Sequence, residues 1–152
     1  MPIYNVLINS KNRVPALTSS SSSIYYFNWG SVLPAGQYLL RWGFTCSGVN
    51  TTVNKIGLVS INLGQSSVYT ASPTNVGAST TNIIGSIIPN ENDTSSFLYG
   101  DSNTNNVIFL GNAPSVNEFT VTITSLDGLL WVDSAGFEIP EYLLALNFEL
   151  IE

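Results

Sequence analysis

The sequence predicts an all-β protein folded as an antiparallel β-sandwich, and three observations carry that prediction. Apolar residues recur at every second position in short stretches, as in Phe119, Val121 and Ile123, or Tyr142, Leu144, Leu146, Phe148 and Leu150. Successive strand side chains point to opposite faces, so this pattern gives a strand one face to bury. Clusters of Gly, Pro, Asn, Asp and Ser separate the stretches, as in sandwiches and barrels. No window carries an apolar i, i+3, i+4, i+7 stripe bounded by caps, so no substantial helix is expected. A count of about eight to ten strands separated by turn signals favours a sandwich or barrel, with an antiparallel single jelly roll as the first choice. At 152 residues, with no internal repeat and no linker, the chain is expected to form one such domain, residues 1–152.

Ile3 to Asn9 alternates and is expected as the first strand. Ser10 to Ser23 is a polar connection ending in five consecutive serines, a composition too flexible for a regular element. Ile24 to Cys46 organises the rest of the chain. It reads IYYFNW, then a turn on Leu33-Pro34-Ala35-Gly36, then YLLRWGFTC, and is expected as two aromatic-rich strands of one hairpin. Proline presets φ for a turn, and glycine takes φ > 0 at little cost. Tyr38, Leu40, Trp42, Phe44 and Cys46 then share one face.

Ser47 to Asn54 reads as a loop, and Lys55 to Gly64 as a strand with Val59, Ile61 and Leu63 on one side. Ser66 to Ala71 is expected to continue that sheet after a break at Gly64-Gln65. Ser72 to Asn82 is a polar loop. Ile83 to Ile88 is a short apolar strand interrupted by Gly85 and stopped by Pro89. Glu91 to Ser96 is loop, Phe97 to Tyr99 a short strand and Gly100 to Asn105 a turn. Val107 to Leu110 is apolar on both faces, as in a central strand covered on both sides. Glu118 to Leu126 alternates cleanly, with Thr120, Thr122 and Thr124 opposite its apolar face. Asp127-Gly128 predicts a two-residue hairpin turn, with Leu129 to Val132 returning. After a loop through Pro140, Tyr142 to Ile151 closes the chain.

Composition bounds the function. Charged residues make up 9% of the chain, against about 25% in an ordinary soluble domain. Ser, Thr, Asn and Gly must therefore supply most of the wet surface, which suits close packing against neighbours or contact with sugars. The formal charge is −6, and only Lys11, Arg13, Arg41 and Lys55 are cationic. Nucleic-acid binding depends on neutralising phosphates, so no nucleic-acid partner is expected, and no polybasic segment offers a membrane anchor. Met1-Pro2-Ile3-Tyr4 has neither the basic region nor the apolar run of a signal peptide. No apolar stretch approaches the ~20 residues of a membrane span, so no membrane insertion is expected. The sequons at Asn50 and Asn92 read as chance, because glycosylation needs secretion. Cys46 is the sole cysteine, which leaves no disulfide within the chain and predicts a buried, inert thiol.

No histidine is present, which excludes His-based triads, Cys-His dyads and ordinary zinc sites. No glycine-rich phosphate cradle occurs. A glycosidase needs two facing carboxylates. Glu138, Glu141 and Glu149 are the nearest grouping, and they read as solvated strand and loop acids. No catalytic residue is assigned, and the chain is not expected to be an enzyme. Asp101-Ser102-Asn103-Thr104-Asn105 matches the first half of a calcium loop, but Asn106 stands where glycine is needed and Asn112 where a bidentate glutamate is needed. Asp133, Glu138 and Glu141 form a second weak grouping on a loop. No metal and no cofactor is assigned. Trp29, Trp42 and Trp131 admit two readings, a stacking platform for sugar rings or core packing; their apolar strand contexts favour core. The uncharged Thr face of Glu118 to Leu126 is expected to meet solvent or a neighbouring subunit.

Three segments carry a resemblance: Tyr4-Asn5-Val6-Leu7-Ile8-Asn9-Ser10-Lys11-Asn12-Arg13; Phe27-Asn28-Trp29 followed by Leu33-Pro34-Ala35-Gly36-Gln37-Tyr38; and Tyr142-Leu143-Leu144-Ala145-Leu146-Asn147-Phe148-Glu149. They resemble the YNVxLNSxxR strand, the FxW–LPxG–Y hairpin and the YLLxLxFE strand of small single jelly-roll capsid proteins from large double-stranded DNA viruses, virophages and polinton-like viruses. These motifs are structural, and Ser66 to Asn106 matches none of them. The resemblance implies a virion structural protein, a penton or minor capsid subunit, made in the host cytoplasm. Its implied partners are copies of itself, as a pentamer or trimer, and a major capsid protein. The alternatives are a carbohydrate-binding module using the loops Ser72 to Asn82 and Gly100 to Asn106 on a host glycan, or a trimeric ligand-type domain.

Overall fold

A computed structural model of the chain describes residues 2–14, 22–47, 57–63, 69–70, 79–80, 83–89, 97–100, 107–127, 129–131 and 141–151. The strands are β1 (Ile3–Asn9), β2 (Ser22–Tyr26), β3 (Tyr38–Ser47), β4 (Gly57–Ile61), β5 (Tyr69–Thr70), β6 (Ser79–Thr80), β7 (Ile83–Pro89), β8 (Phe97–Gly100), β9 (Val107–Leu110), β10 (Glu118–Thr124) and β11 (Tyr142–Leu150). Two single 3-10 turns, Ser10–Asn12 and Trp29–Ser31, are the helical elements among the described residues.

Every pairing is antiparallel, and the ladders group into two four-stranded layers. One layer runs β1-β11-β3-β9 and the other β2-β10-β4-β7; β8 links them by pairing with both β3 and β7. The ten-residue β3 is shared along its length. Tyr38–Arg41 pair with β9, Thr45–Ser47 pair with β8, and the opposite edge is filled by β11.

The alternation read from the sequence is the burial pattern of the strands. Phe119, Val121 and Ile123 of β10, and Tyr142, Leu144, Leu146 and Phe148 of β11, are buried. Tyr38, Leu40, Trp42 and Phe44 of β3, and Val59 and Ile61 of β4, complete the inward faces. Contacts between the layers are aromatic and specific. The Trp29 ring lies 5.6 Å from Phe148 and 5.3 Å from Phe119, centroid to centroid. The Trp42 indole N–H crosses the sandwich to donate to the Ile84 carbonyl at 3.0 Å.

That crossing explains Gly85. A Cβ at this position would sit 2.4 Å from Cζ2 of Trp42, and the backbone takes φ +158°. The glycine that looks like an interruption of a strand is the gap into which Trp42 packs.

Several expectations are corrected. Ile24 to Cys46 is not a hairpin: β2 pairs with β10, β3 pairs with β11, β9 and β8, and residues 27–37 cross between layers. The crossing turns through the 3-10 segment, where the Val32 and Leu33 amides donate to the Trp29 carbonyl at 3.0 and 2.8 Å. Trp29 therefore lies on a turn rather than a strand, and is driven inward with Leu33. Gly36 takes φ 157°, and the Tyr38 hydroxyl donates to the Pro34 carbonyl at 2.5 Å, tying the turn to β3.

Val107 to Leu110 is not a doubly covered central strand. β9 pairs with β3 alone, and Val107 and Phe109 are 37% and 39% exposed. Tyr69–Thr70 do not continue the main sheet but pair with β6 in a separate ribbon. At the Asp127-Gly128 turn, the Ser125 amide donates to the Leu129 carbonyl at 2.8 Å. Ser125 thus faces Leu129, and three residues rather than two make the reversal. The returning segment forms the bridge Thr124↔Leu130, and the Trp131 amide donates to the Ile123 carbonyl at 2.9 Å. β2 also takes in the last two serines of the polar run, and Ser23 is buried.

Trp42→Ala should cost about 3–5 kcal/mol in denaturant unfolding, as for other buried aromatics. Gly85→Ala should cost about 1–3 kcal/mol by overpacking. In a Trp42→Ala background the Gly85→Ala cost should shrink, because the clashing ring is gone. Additive costs in that cycle would show that the two positions do not meet.

Candidate functional site

The most connected polar group in the described structure lies where β1 ends and β11 begins. Ser10, fully buried in the first 3-10 turn, donates its hydroxyl to the Glu141 carboxylate and accepts from the Tyr142 amide at 2.8 Å. Arg13 reaches the same carboxylate with 2.8 and 2.7 Å contacts to its two oxygens, and the Ser10 carbonyl at 2.7 Å. Behind it, the Tyr142 and Tyr25 hydroxyls meet at 3.0 Å and join the two layers.

The electrostatics follow from these contacts. The hydrogen bond from Arg13 holds the Glu141 carboxyl below its usual range; partial burial opposes this, and Ser10 and the charges of Arg13 and Lys11 reinforce it. Burial pushes the Tyr142 hydroxyl far up, with Tyr25 adding to the effect, and burial also raises Tyr25. A neutral, hydrogen-bonded tyrosine pair and a charge-saturated carboxylate are poor acids and bases at neutral pH. This arrangement ties strands together.

Of the carboxylates singled out by the sequence, Glu141 and Glu149 lie among the described residues, and they do not converge. Glu141 is committed to Arg13, and Glu149 pairs with Arg41 at 2.5 Å on the outer side of β11 and β3. Glu138, Asp133 and the Asp101–Asn105 stretch lie outside the described residues, as do the loops 72–78 and 101–106 and the sequons. Among the described residues no group of three or more Cys, Asp or Glu side chains gathers to hold a metal ion. The Cys46 side chain lies outside the described set.

The tryptophans resolve to core. Trp29, Trp42 and Trp131 are all buried, so none offers a ring face to a sugar. The Trp29 indole N–H donates to the Val116 carbonyl at 3.0 Å.

The two outer faces differ. Thr120, Thr122 and Thr124 are half-buried on the outer side of one layer, as their pattern predicts. Exposed large apolar side chains occur on the other layer, at Ile3, Leu7, Leu143, Val107 and Phe109, and also beside β10, at Tyr26, Leu126, Leu129 and Leu130. No helix among the described residues is long and apolar enough to cross a membrane.

No protein-family model and no curated protein matches the sequence.

Stability should respond to pH at both ends. Glu141 has a lowered folded pKa, so its contribution is present above the ordinary value of 4.5 and is lost as pH falls through the folded one. Glu141→Gln should flatten that acid limb in urea titrations, and an unchanged limb would assign it to other carboxylates. Tyr25 and Tyr142 have raised values, so unfolding gains from their ionisation above the ordinary 10.0. Stability should fall there by up to ~1.4 kcal/mol per pH unit per tyrosine, and Tyr142→Phe should reduce the slope.

Proposed function

We propose that the chain is a virion structural protein, a penton or minor capsid subunit built on a single jelly roll. Strand order is the observation that carries this reading. With β5, β6 and the linking β8 set aside, the eight principal strands number 1 to 8 along the chain. The layers then run 1-8-3-6 and 2-7-4-5, the order expected when two Greek keys are wound into a jelly roll. Jelly rolls recur in viral capsid and lectin domains.

The segments that resemble capsid proteins support the same reading. YNVLINSKNR supplies β1 and the Ser10–Arg13 latch, YLLALNFE supplies β11, and the Pro-Gly turn leads into β3. These three strands are neighbours in one layer although they come from opposite ends of the chain. A surface low in charge and rich in Ser, Thr and Asn suits a subunit enclosed by copies of itself and a major capsid protein.

The test is electron microscopy of the source particle, with the side chains of this sandwich traced into the map. Density at the fivefold vertices would identify a penton, and density between capsomers a minor capsid protein. Absence of the chain from purified particles, together with selective and competable glycan binding by the isolated protein, would overturn the reading in favour of a lectin-like module.

A further inference from the structure

Among the described residues four strands lie at the margins of the layers, and three are protected or short. The Ile24 carbonyl of β2 is occupied by the Val14 amide at 2.9 Å. β7 is paired with β8 over Ile87–Pro89 and ends in proline. β9 has four residues. β1 is different. Its seven residues, IYNVLIN, contain no charge and no proline, and pair with β11 in unbroken register from Ile3↔Glu149 to Asn9↔Leu143. Charges, prolines, bulges and short length are the usual means of keeping an edge strand from pairing with another chain. β1 has none of them.

The phase of its backbone is known. The Leu150 amide donates to the Pro2 carbonyl at 3.1 Å. In an antiparallel ladder, bonded and non-bonded pairs alternate, so Ile3, Asn5, Leu7 and Asn9 direct their N–H and C=O groups to the open edge. The same residues point outward, with Ile3 58% and Leu7 69% exposed. Asn9 is already engaged, its side chain accepting from the Lys11 amide at 3.0 Å.

We propose that β1 is a self-association edge, on which a second copy of this chain pairs its own β1 antiparallel about a twofold axis at Asn5. In that register Ile3 faces Leu7 of the second copy, Asn5 faces Asn5, and Leu7 faces Ile3. All three pairings join residues whose backbone groups are directed outward, and each apolar side chain meets an apolar one. Sliding by one pairing step sets Leu7 against Asn5 and Ile3 against Asn9, or leaves Leu7 beyond the end of the other strand. A second copy fits better than a charged partner strand. The chain carries a charge of −6, so a contact between copies is least opposed where no like charges are brought together, and β1 is neutral and self-complementary. The contact is isologous and closes at two copies, merging the two β1-β11-β3-β9 layers into one sheet. It does not depend on the capsid reading, since a chain that never enters a particle can form it.

Sedimentation of the full chain over a concentration series, combined with disulfide trapping in a Cys46→Ser background, tests the contact. The wild type should dimerise. Asn5→Lys, which sets two cations across the axis, and Asn5→Pro, which removes an outward N–H without touching the β11 ladder, should both be monomeric, with the melting temperature the wild type shows when diluted to monomer. Asn5→Lys decides the matter if the proline variant fails to fold. On oxidation Asn5→Cys should form a covalent dimer, because directly opposed bonded residues lie ~5.5 Å apart at Cα, within disulfide range. Leu7→Cys, which faces Ile3, should not. A monomeric wild type, a dimer that survives Asn5→Lys, or equal trapping of Asn5→Cys and Leu7→Cys would overturn the proposal.

Discussion

The inward face of β3 is the constraint on which the sandwich depends. Tyr38, Leu40, Trp42 and Phe44 project from one strand into the space between the layers, and that strand is hydrogen-bonded to three others. A side chain as large as Trp42 fills the gap only if the opposite layer yields space where the ring arrives. Gly85 yields it, and the adjacent Ile84 carbonyl accepts the indole proton that would otherwise be buried without a partner. One residue thus sets the spacing of the layers, the register of β7 against β3 and the need for glycine at a strand interior.

Polar groups in the interior follow the same rule. Among the described residues no buried side-chain nitrogen or oxygen lacks a hydrogen-bond partner. Beside the surface pair Arg13–Glu141, Ser10 accepts from the Tyr142 backbone amide, and the Tyr142 side chain carries its hydroxyl into the core to meet that of Tyr25. An unmade bond in a low-dielectric interior costs more than a made one contributes. The cluster therefore selects one arrangement of the β1 end, the β11 start and β2, and leaves the chemistry of partner recognition to the outer surfaces.

Those surfaces are unequal. Thr side chains line the outer side of β10, whereas Ile3, Leu7, Leu143, Val107 and Phe109 are exposed outside β1, β11 and β9. The Thr pattern is conspicuous in the sequence because it is continuous along one strand. The apolar face is assembled from strands at opposite ends of the chain and has no contiguous signature.

Alternation along a strand is a local property, and it was legible. It marked β1 to within a residue, the buried positions of β3, β10 and β11, and the absence of substantial helix among the described residues. The core role of the tryptophans was legible too, although for Trp29 the reason differed, since it lies on a turn between Asn28 and Gly30 and not within an apolar strand. Which strand pairs with which was not, because periodicity names the buried side of a strand without naming its neighbour. The segment 27–37 looked like a hairpin turn, yet it carries the chain from one layer to the other, since β2 and β3 each find a better partner far away in sequence. The Ser10–Arg13–Glu141 latch joins residues up to 131 positions apart, a separation at which no spacing rule operates. Tertiary structure alone decided these features, because burying two half-apolar faces against each other is a property of the whole set of strands.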